Sequence, residues 1–160
     1  MDIVELIVAG HRHLDEKRDL LSKLLKMLDN DAFFWDKAEK IDFFFRKEVQ
    51  EHFAMEEKVL FPVMKKVLKG CEIETLEAIE LEHGPILKNL AELKAVADSH
   101  LRFASKATRE PMVKAAFELV ELIAAHAKKE DERLFPLIKE RFNPVDFSEL
   151  ETLYFSYLKV

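Results

Sequence analysis

The sequence predicts an all-α chain: an up-down-up-down four-helix bundle with a short C-terminal fifth helix. Three observations predict it. Among 160 residues there are only 3 Gly and 5 Pro, while 49% are hydrophobic and 35% charged, a balance that favours helices. Apolar residues recur at intervals of three, four or seven along four long stretches. One stretch also occurs twice in register: His52-Phe-Ala-Met-Glu56-Glu57-Lys-Val-Leu60-Phe61-Pro62 and His126-Ala-Lys-Lys-Glu130-Asp131-Glu-Arg-Leu134-Phe135-Pro136. The repeat suggests two related halves that each contribute to one site. Residues 1–142 should form the bundle and 143–160 a tail helix.

Residues 3–28 read as the first helix, with Ile3, Ile7, Leu14, Leu21, Leu24 and Leu28 on one face. His11 falls on that apolar stripe, whereas His13 has polar or small helical neighbours. Asp29-Asn30-Asp31 breaks the pattern and supplies N-cap side chains. A second helix is expected from about 36 to 69, with Ile41, Phe45, Val49, His52, Glu56, Val59 and Val63 inward. Pro62 should kink it, and Gly70 should close it in a left-handed cap. The aromatic load at Phe33, Phe34, Trp35 and Phe43 to Phe45 reads as core filling at one end.

A third helix is expected over about 73–99, with Leu76, Ile79, His83, Ile86, Leu90 and Leu93 or Ala97 inward. Gly84-Pro85 should loosen it beside His83, and His100 should be solvated at its end. The polar run from Ser105 to Glu110 leads into a fourth helix at about 110–141, with Pro111 in its first turn. Its inner stripe is Leu119, Leu122 or Ile123, His126, Glu130, Leu134 and Leu137. In the tail, Asp146-x-x-Glu149 or Ser148-x-x-Glu151 offers a capping box. Its Phe147, Leu150, Leu153, Tyr154, Phe155 and Tyr157 should cover either the bundle or a second copy, so a monomer or a homodimer is expected.

Composition excludes several classes of function. A formal charge of −6 and a pI near 5.6 argue against nucleic acid or an anionic membrane surface as a partner. The single cysteine, Cys71, excludes an internal disulfide and any Cys-x-x-Cys motif. The start lacks the basic region of a signal peptide, and no apolar run reaches the roughly 18 residues of a membrane span. A soluble, cytoplasmic chain is expected.

The chemistry is carried by histidines and acids. Residues i and i+4 share a helix face, so each copy of the repeat points one imidazole and one carboxylate the same way. His11 stands 17 residues before position 28 and His52 16 after position 36; His83 stands 16 before position 99 and His126 16 after position 110. Each antiparallel hairpin therefore brings its two histidines to nearly one level. Burying Glu56 and Glu130 without partners would cost several kcal/mol each, and a bound cation removes that cost. The expected ligands are His11, His52, Glu56, His83, His126 and Glu130. Glu57 and Asp131 lie about 100° further round the helix and read as outer-shell or surface acids.

With these residues the chain resembles the hemerythrin-like family, the HHE cation-binding domains, over roughly residues 8–140. His11, His52-x-x-x-Glu56, His83 and His126-x-x-x-Glu130 match the family's helices in order, and Leu-Phe-Pro after each carboxylate is typical of it. The resemblance implies two iron ions, Fe2+ or Fe3+, with an oxo or hydroxo bridge and with Glu56 and Glu130 spanning both. Manganese or zinc could substitute. Oxygen carriers of the family place a second histidine four residues after the one on helix three, where this chain has Leu87. Their helix-four carboxylate is an Asp at +5; here Glu130 stands at +4 and Asp131 at +5. The four-His, two-Glu set resembles the branch that includes iron–sulfur repair proteins and iron- or oxygen-sensing domains.

Four imidazoles, four carboxylate oxygens and a bridge fill ten of twelve octahedral positions, leaving one per iron for O2, NO, peroxide or azide. Binding or sensing such a small diatomic or peroxide ligand is the first expectation. A peroxidase-like or NO-reducing enzyme, or an iron donor or buffer, are the alternatives. A ferritin-like ferroxidase would need two Glu-x-x-His motifs, and this chain has one, Glu80-x-x-His83. The His-Glu-x-x-His motif of zinc proteases is absent.

Overall fold

Asp2 starts the first helix by accepting hydrogen bonds from the Val4 and Glu5 amides, at 2.9 and 3.3 Å. In the computed structural model, which describes residues 2–100 and 106–159, four long helices and a shorter fifth follow one another, with no strand among the described residues. Helix α1 is Ile3–Lys26. Helix α2, residues 31–67, is one rod made of Asp31–Phe43, Phe44–Val49, Gln50–Met55, Glu56–Leu60 and Phe61–Val67. Helix α3, residues 71–100, comprises Cys71–Leu81 and His83–His100. Helix α4, residues 106–141, comprises Lys106–Lys129, Glu130–Leu134 and Phe135–Arg141, and α5 is Pro144–Leu158. Helix α1 packs on α4 and α2, and α4 on α3, in an antiparallel bundle. None of these helices is long and apolar enough to cross a membrane.

Several boundaries differ from expectation, each for a local reason. Helix α2 begins five residues early because Asn30 caps it, accepting from the Phe33 amide at 3.1 Å. Its end is Val67, and Gly70 (φ +59°) precedes α3 rather than capping α2. The break in α3 falls at Glu82, one turn before Pro85 removes a backbone donor. Helix α4 starts at Lys106, so Pro111 lies inside it rather than in its first turn. The tail is capped by Asn143 with Asp146, a capping box earlier in the chain than either expected pair. Ser105 and the His100 side chain lie outside the described residues.

The Pro62 kink takes a particular form. At Glu56–Leu60 and again at Glu130–Leu134 the helix widens into a π turn, so that the Phe61 and Phe135 amides bond to the carbonyls of Glu56 and Glu130 five residues back. The extra residue in each wide turn rotates everything after it. Phe61 and Phe135 therefore face inward, and Ile138 is buried where Leu137, expected on the stripe, is only half-buried. A third π turn, Phe44–Val49, buries Phe44 and Phe45 and leaves Phe43 exposed. Trp35 is exposed too, so the aromatic load fills the core only in part.

Two apolar clusters make up the core. One holds Leu14, Leu21, Phe34, Val49, Phe53, Ile86, Leu90, Ile123 and Ala127; the other holds Ile7, Val59, Leu60, Phe61, Ile79, Leu134 and Ile138. On every helix one expected ligand stands between the last residue of one cluster and the first of the other: His11 between Ile7 and Leu14, Glu56 between Phe53 and Val59, His83 between Ile79 and Ile86, and Glu130 between Ala127 and Leu134, with His52 and His126 one turn before the two glutamates. The bundle is thus apolar at both ends with a polar layer between. Tail residues Leu150, Leu153, Tyr154 and Tyr157 pack on the second cluster, and Lys66 pairs with Glu149. Phe147 and Phe155 stay exposed, so the tail covers the bundle with one face only.

Candidate metal centre

The six expected residues converge in that polar layer. Two groups of four, His11 with His52, Glu56 and Glu130, and His83 with His126, Glu56 and Glu130, each bring one donor atom per residue within 4.8 Å of the others. The two groups share both glutamates. Glu56 Oε1 is 2.8 Å from His52 Nε2 while its Oε2 is 3.2 Å from His83 Nε2. Glu130 Oε1 lies 3.0 Å from His126 Nε2 and 3.7 Å from His11 Nε2. His13, by contrast, is an exposed side chain near Glu16.

The matching of levels is spatial rather than numerical. With the observed ends, His11 is 15 residues before Lys26 and His52 is 21 after Asp31, yet their Nε2 atoms are 3.0 Å apart. The wide turn Phe44–Val49 and the unequal overhang of the two helices take up the difference.

Charge explains why this layer suits a cation. Glu56 and Glu130 are completely buried, and none of their four carboxylate oxygens has a hydrogen-bond donor in line with it. Burial pushes both carboxyls up. At Glu56 the charge and contact of His52, helped by His83, overcome this and hold the group well below the usual carboxylate range. At Glu130 burial and the Glu56 charge act together, and the carboxyl is pushed up to about 11. Without metal the pair therefore keeps one proton, since two adjacent buried carboxylates cannot both ionise. Burial and the His52 charge lower His11; burial lowers His126 against the pull of Glu82. Burial would also lower His83, but Glu56 and Glu57 outweigh it and raise it.

The spacing of the nitrogens fits an ion. His11 Nε2 and His52 Nε2 are 3.0 Å apart, and His83 Nε2 and His126 Nε2 are 3.1 Å apart. Two imidazoles bound at about 2.1 Å and at right angles on one ion would have nitrogens about 3 Å apart. The orphaned oxygens and these paired nitrogens thus make a donor set suited to two cations.

The outer shell accounts for the rest of the repeat. Asp131, at +5 in the second copy, meets His11 Nδ1 at 2.9 Å, and Glu57, at +5 in the first copy, meets His83 Nδ1 at 2.8 Å. Each +5 acid reaches across to a histidine of another helix, fixing its ring with Nε2 turned inward. The Phe of each Leu-Phe-Pro stacks on the same histidine: Phe61 on His83 at 5.8 Å and Phe135 on His11 at 5.7 Å between ring centres. The π turn brings these phenylalanines onto that face.

Three further residues join the site beyond those expected from the sequence. Glu82 holds His126 Nδ1 at 3.2 Å and is itself held by Lys129 at 2.6 Å; its place directly before His83, at a proline-induced break, was the available signal. Phe53 lies parallel to His83 at 3.9 Å. Gly10 faces His52, where a Cβ would come within 2.8 Å of Nδ1. Leu87 is half-buried against the cluster that includes Ile86 and Leu90.

Comparison with protein families gives a match to the hemerythrin HHE cation binding domain over residues 2–138. Comparisons with curated proteins and with solved structures returned no match. The matched span takes in three bundle helices, all but the last turn of the fourth and every residue that converges on the shared glutamates, and the chain belongs to the hemerythrin HHE cation-binding family.

Proposed function

We propose that this chain is a di-iron protein that binds a small diatomic or peroxide ligand, with the ligand approaching from the His11/His52 side. One observation carries the reading. A cleft of about 340 Å³, lined by Ala9, Gly10, Glu48, Glu51 and Phe53 among others, reaches His11 and His52. The His83 and His126 side chains are only 2% exposed, behind Phe53 and Phe61. A cleft that reaches one metal position and leaves the other sealed suits entry of a small molecule.

The donor chemistry favours iron. Four imidazole nitrogens and four carboxylate oxygens, with no thiolate, suit iron or manganese, and eight protein donors leave positions free on two six-coordinate ions. Bound iron would supply affinity for O2, NO or peroxide. The protein's own part is to place both carboxylates between the two histidine pairs, keep the four Nε2 lone pairs directed inward and exclude bulk water with the two apolar clusters.

The test is metal content of protein made in iron-replete cells, together with its near-UV spectrum with and without azide. Two irons per chain and an azide-dependent band are expected. Zinc in place of iron, or a spectrum that azide leaves unchanged, would refute the reading.

A further inference from the structure

We infer that the two metal positions are unequal: the His83/His126 position retains its ion, while the His11/His52 position exchanges its ion, because Gly10 stands where an anchoring carboxylate would hold His52. The inference rests on the two-ion reading above and assigns each position a separate behaviour.

Three of the four imidazoles are fixed from behind. Asp131 holds His11, Glu57 holds His83 and Glu82 holds His126. Each such bond fixes the tautomer and orientation of the ring and raises its basicity towards a metal. His52 has no hydrogen-bond partner at Nδ1 among the described residues. What faces it is Gly10, at which a Cβ would lie 2.8 Å from Nδ1 and 3.2 Å from Cε1. Any other residue there would displace the ring. Gly10 therefore makes room for His52 without anchoring it.

Burial runs the same way. The His11 and His52 side chains are 9% and 14% exposed and line the cleft. At the other position all four donors, Glu56, His83, His126 and Glu130, are buried, Phe53 lies flat on His83, and Lys129 steadies Glu82. If the first ion leaves, that buried set of four remains complete around the second. Loss of one outer-shell partner typically costs 10–100-fold in metal affinity. Release from the two positions should differ by at least about tenfold.

The experiment is anaerobic loading of the full chain with two equivalents of Fe2+, followed by stopped-flow mixing with a colorimetric Fe2+ chelator. Two phases of equal amplitude are expected, with rates at least about tenfold apart. Asp131→Asn should accelerate only the fast phase and Glu82→Gln only the slow one. Gly10→Ala should bind one Fe2+ and keep the slow phase, with its folding checked by circular dichroism. Should Gly10→Ala fail to fold, the Asp131 and Glu82 variants decide the matter. Release of both ions in a single phase, acceleration of the fast phase by Glu82→Gln, or two ions retained by a folded Gly10→Ala would overturn the inference. Fewer than two Fe2+ in the native chain would instead refute the two-ion reading on which it rests.

Discussion

Removing the metal should make the stability of this bundle depend on pH in a way the loaded protein does not. In the metal-free chain Glu130 is held at about 11, against 4.5 for a free glutamate. A carboxyl whose folded value is raised contributes stability that is complete below its unfolded value and is lost as pH rises towards the folded one. The window for Glu130 therefore runs from about 4.5 to about 11. Its partner Glu56 is shifted down, so its contribution is lost only in acid, well outside the range of interest. The lowered His11 and His126 act below about pH 6.5, and the raised His83 adds to the Glu130 trend until its own folded value is passed. Between pH 7.5 and 9 Glu130 by itself contributes a fall of about 1.4 kcal/mol per pH unit. Stability should fall by about 2 kcal/mol, or roughly 4–8 °C in Tm for a chain of this size. The assay is thermal unfolding of chelator-treated protein at several pH values, repeated after loading with Fe2+ and on Glu130→Gln. Loading ionises both carboxylates and the variant has no proton to lose, so both should be flat over this window. A metal-free chain whose Tm is level or rises from pH 7.5 to 9, or a slope that persists in Glu130→Gln, would refute the reasoning.

Glu56→Ala and Glu130→Ala should each bind fewer than two ions, because each removes donors from both groups; elemental analysis that finds full stoichiometry in either would contradict their placement. Glu57→Ala and Asp131→Ala should keep two ions but bind one of them about 10–100-fold more weakly, the His83/His126 ion in the first variant and the His11/His52 ion in the second, as measured by chelator competition. Leu87 offers no donor one turn beyond His83, so the reduced protein should be oxidised quickly by O2 rather than bind it reversibly, and Leu87→His should slow that oxidation. Stopped-flow spectra check this, and reversible O2 binding by the native sequence would show that Leu87 is not what limits carriage.

Much of the site was legible because its residues repeat. His-x-x-x-Glu on a helix fixes which face the ligands share, and a second copy in register points to a common centre. The intervals of Ile7, Leu14 and Leu21 or of Leu76, Ile79 and Ile86 likewise fixed the inner faces of α1 and α3. What was not legible depends on hydrogen bonds that a period cannot carry. The π turns at Glu56 and Glu130 shift the helical phase by one residue, which moved burial from Leu137 to Ile138. Helix starts were set by Asn30 and Asn143, whose side chains outdid the neighbouring acids. Glu82 came to the metal layer through a break in α3, and its partner His126 lies 44 residues away. Gly10 matters only because α2 passes close to it.

Glu56 and Glu130 belong to both groups of donors, so two ions, if bound, should lie side by side with these glutamates between them. Anomalous diffraction at the iron edge, from crystals of the loaded chain, tests it most directly. Two peaks are expected, one beside His11 and His52 and one beside His83 and His126, with Glu56 and Glu130 touching both. A single peak, or metal bound away from these glutamates, would contradict it.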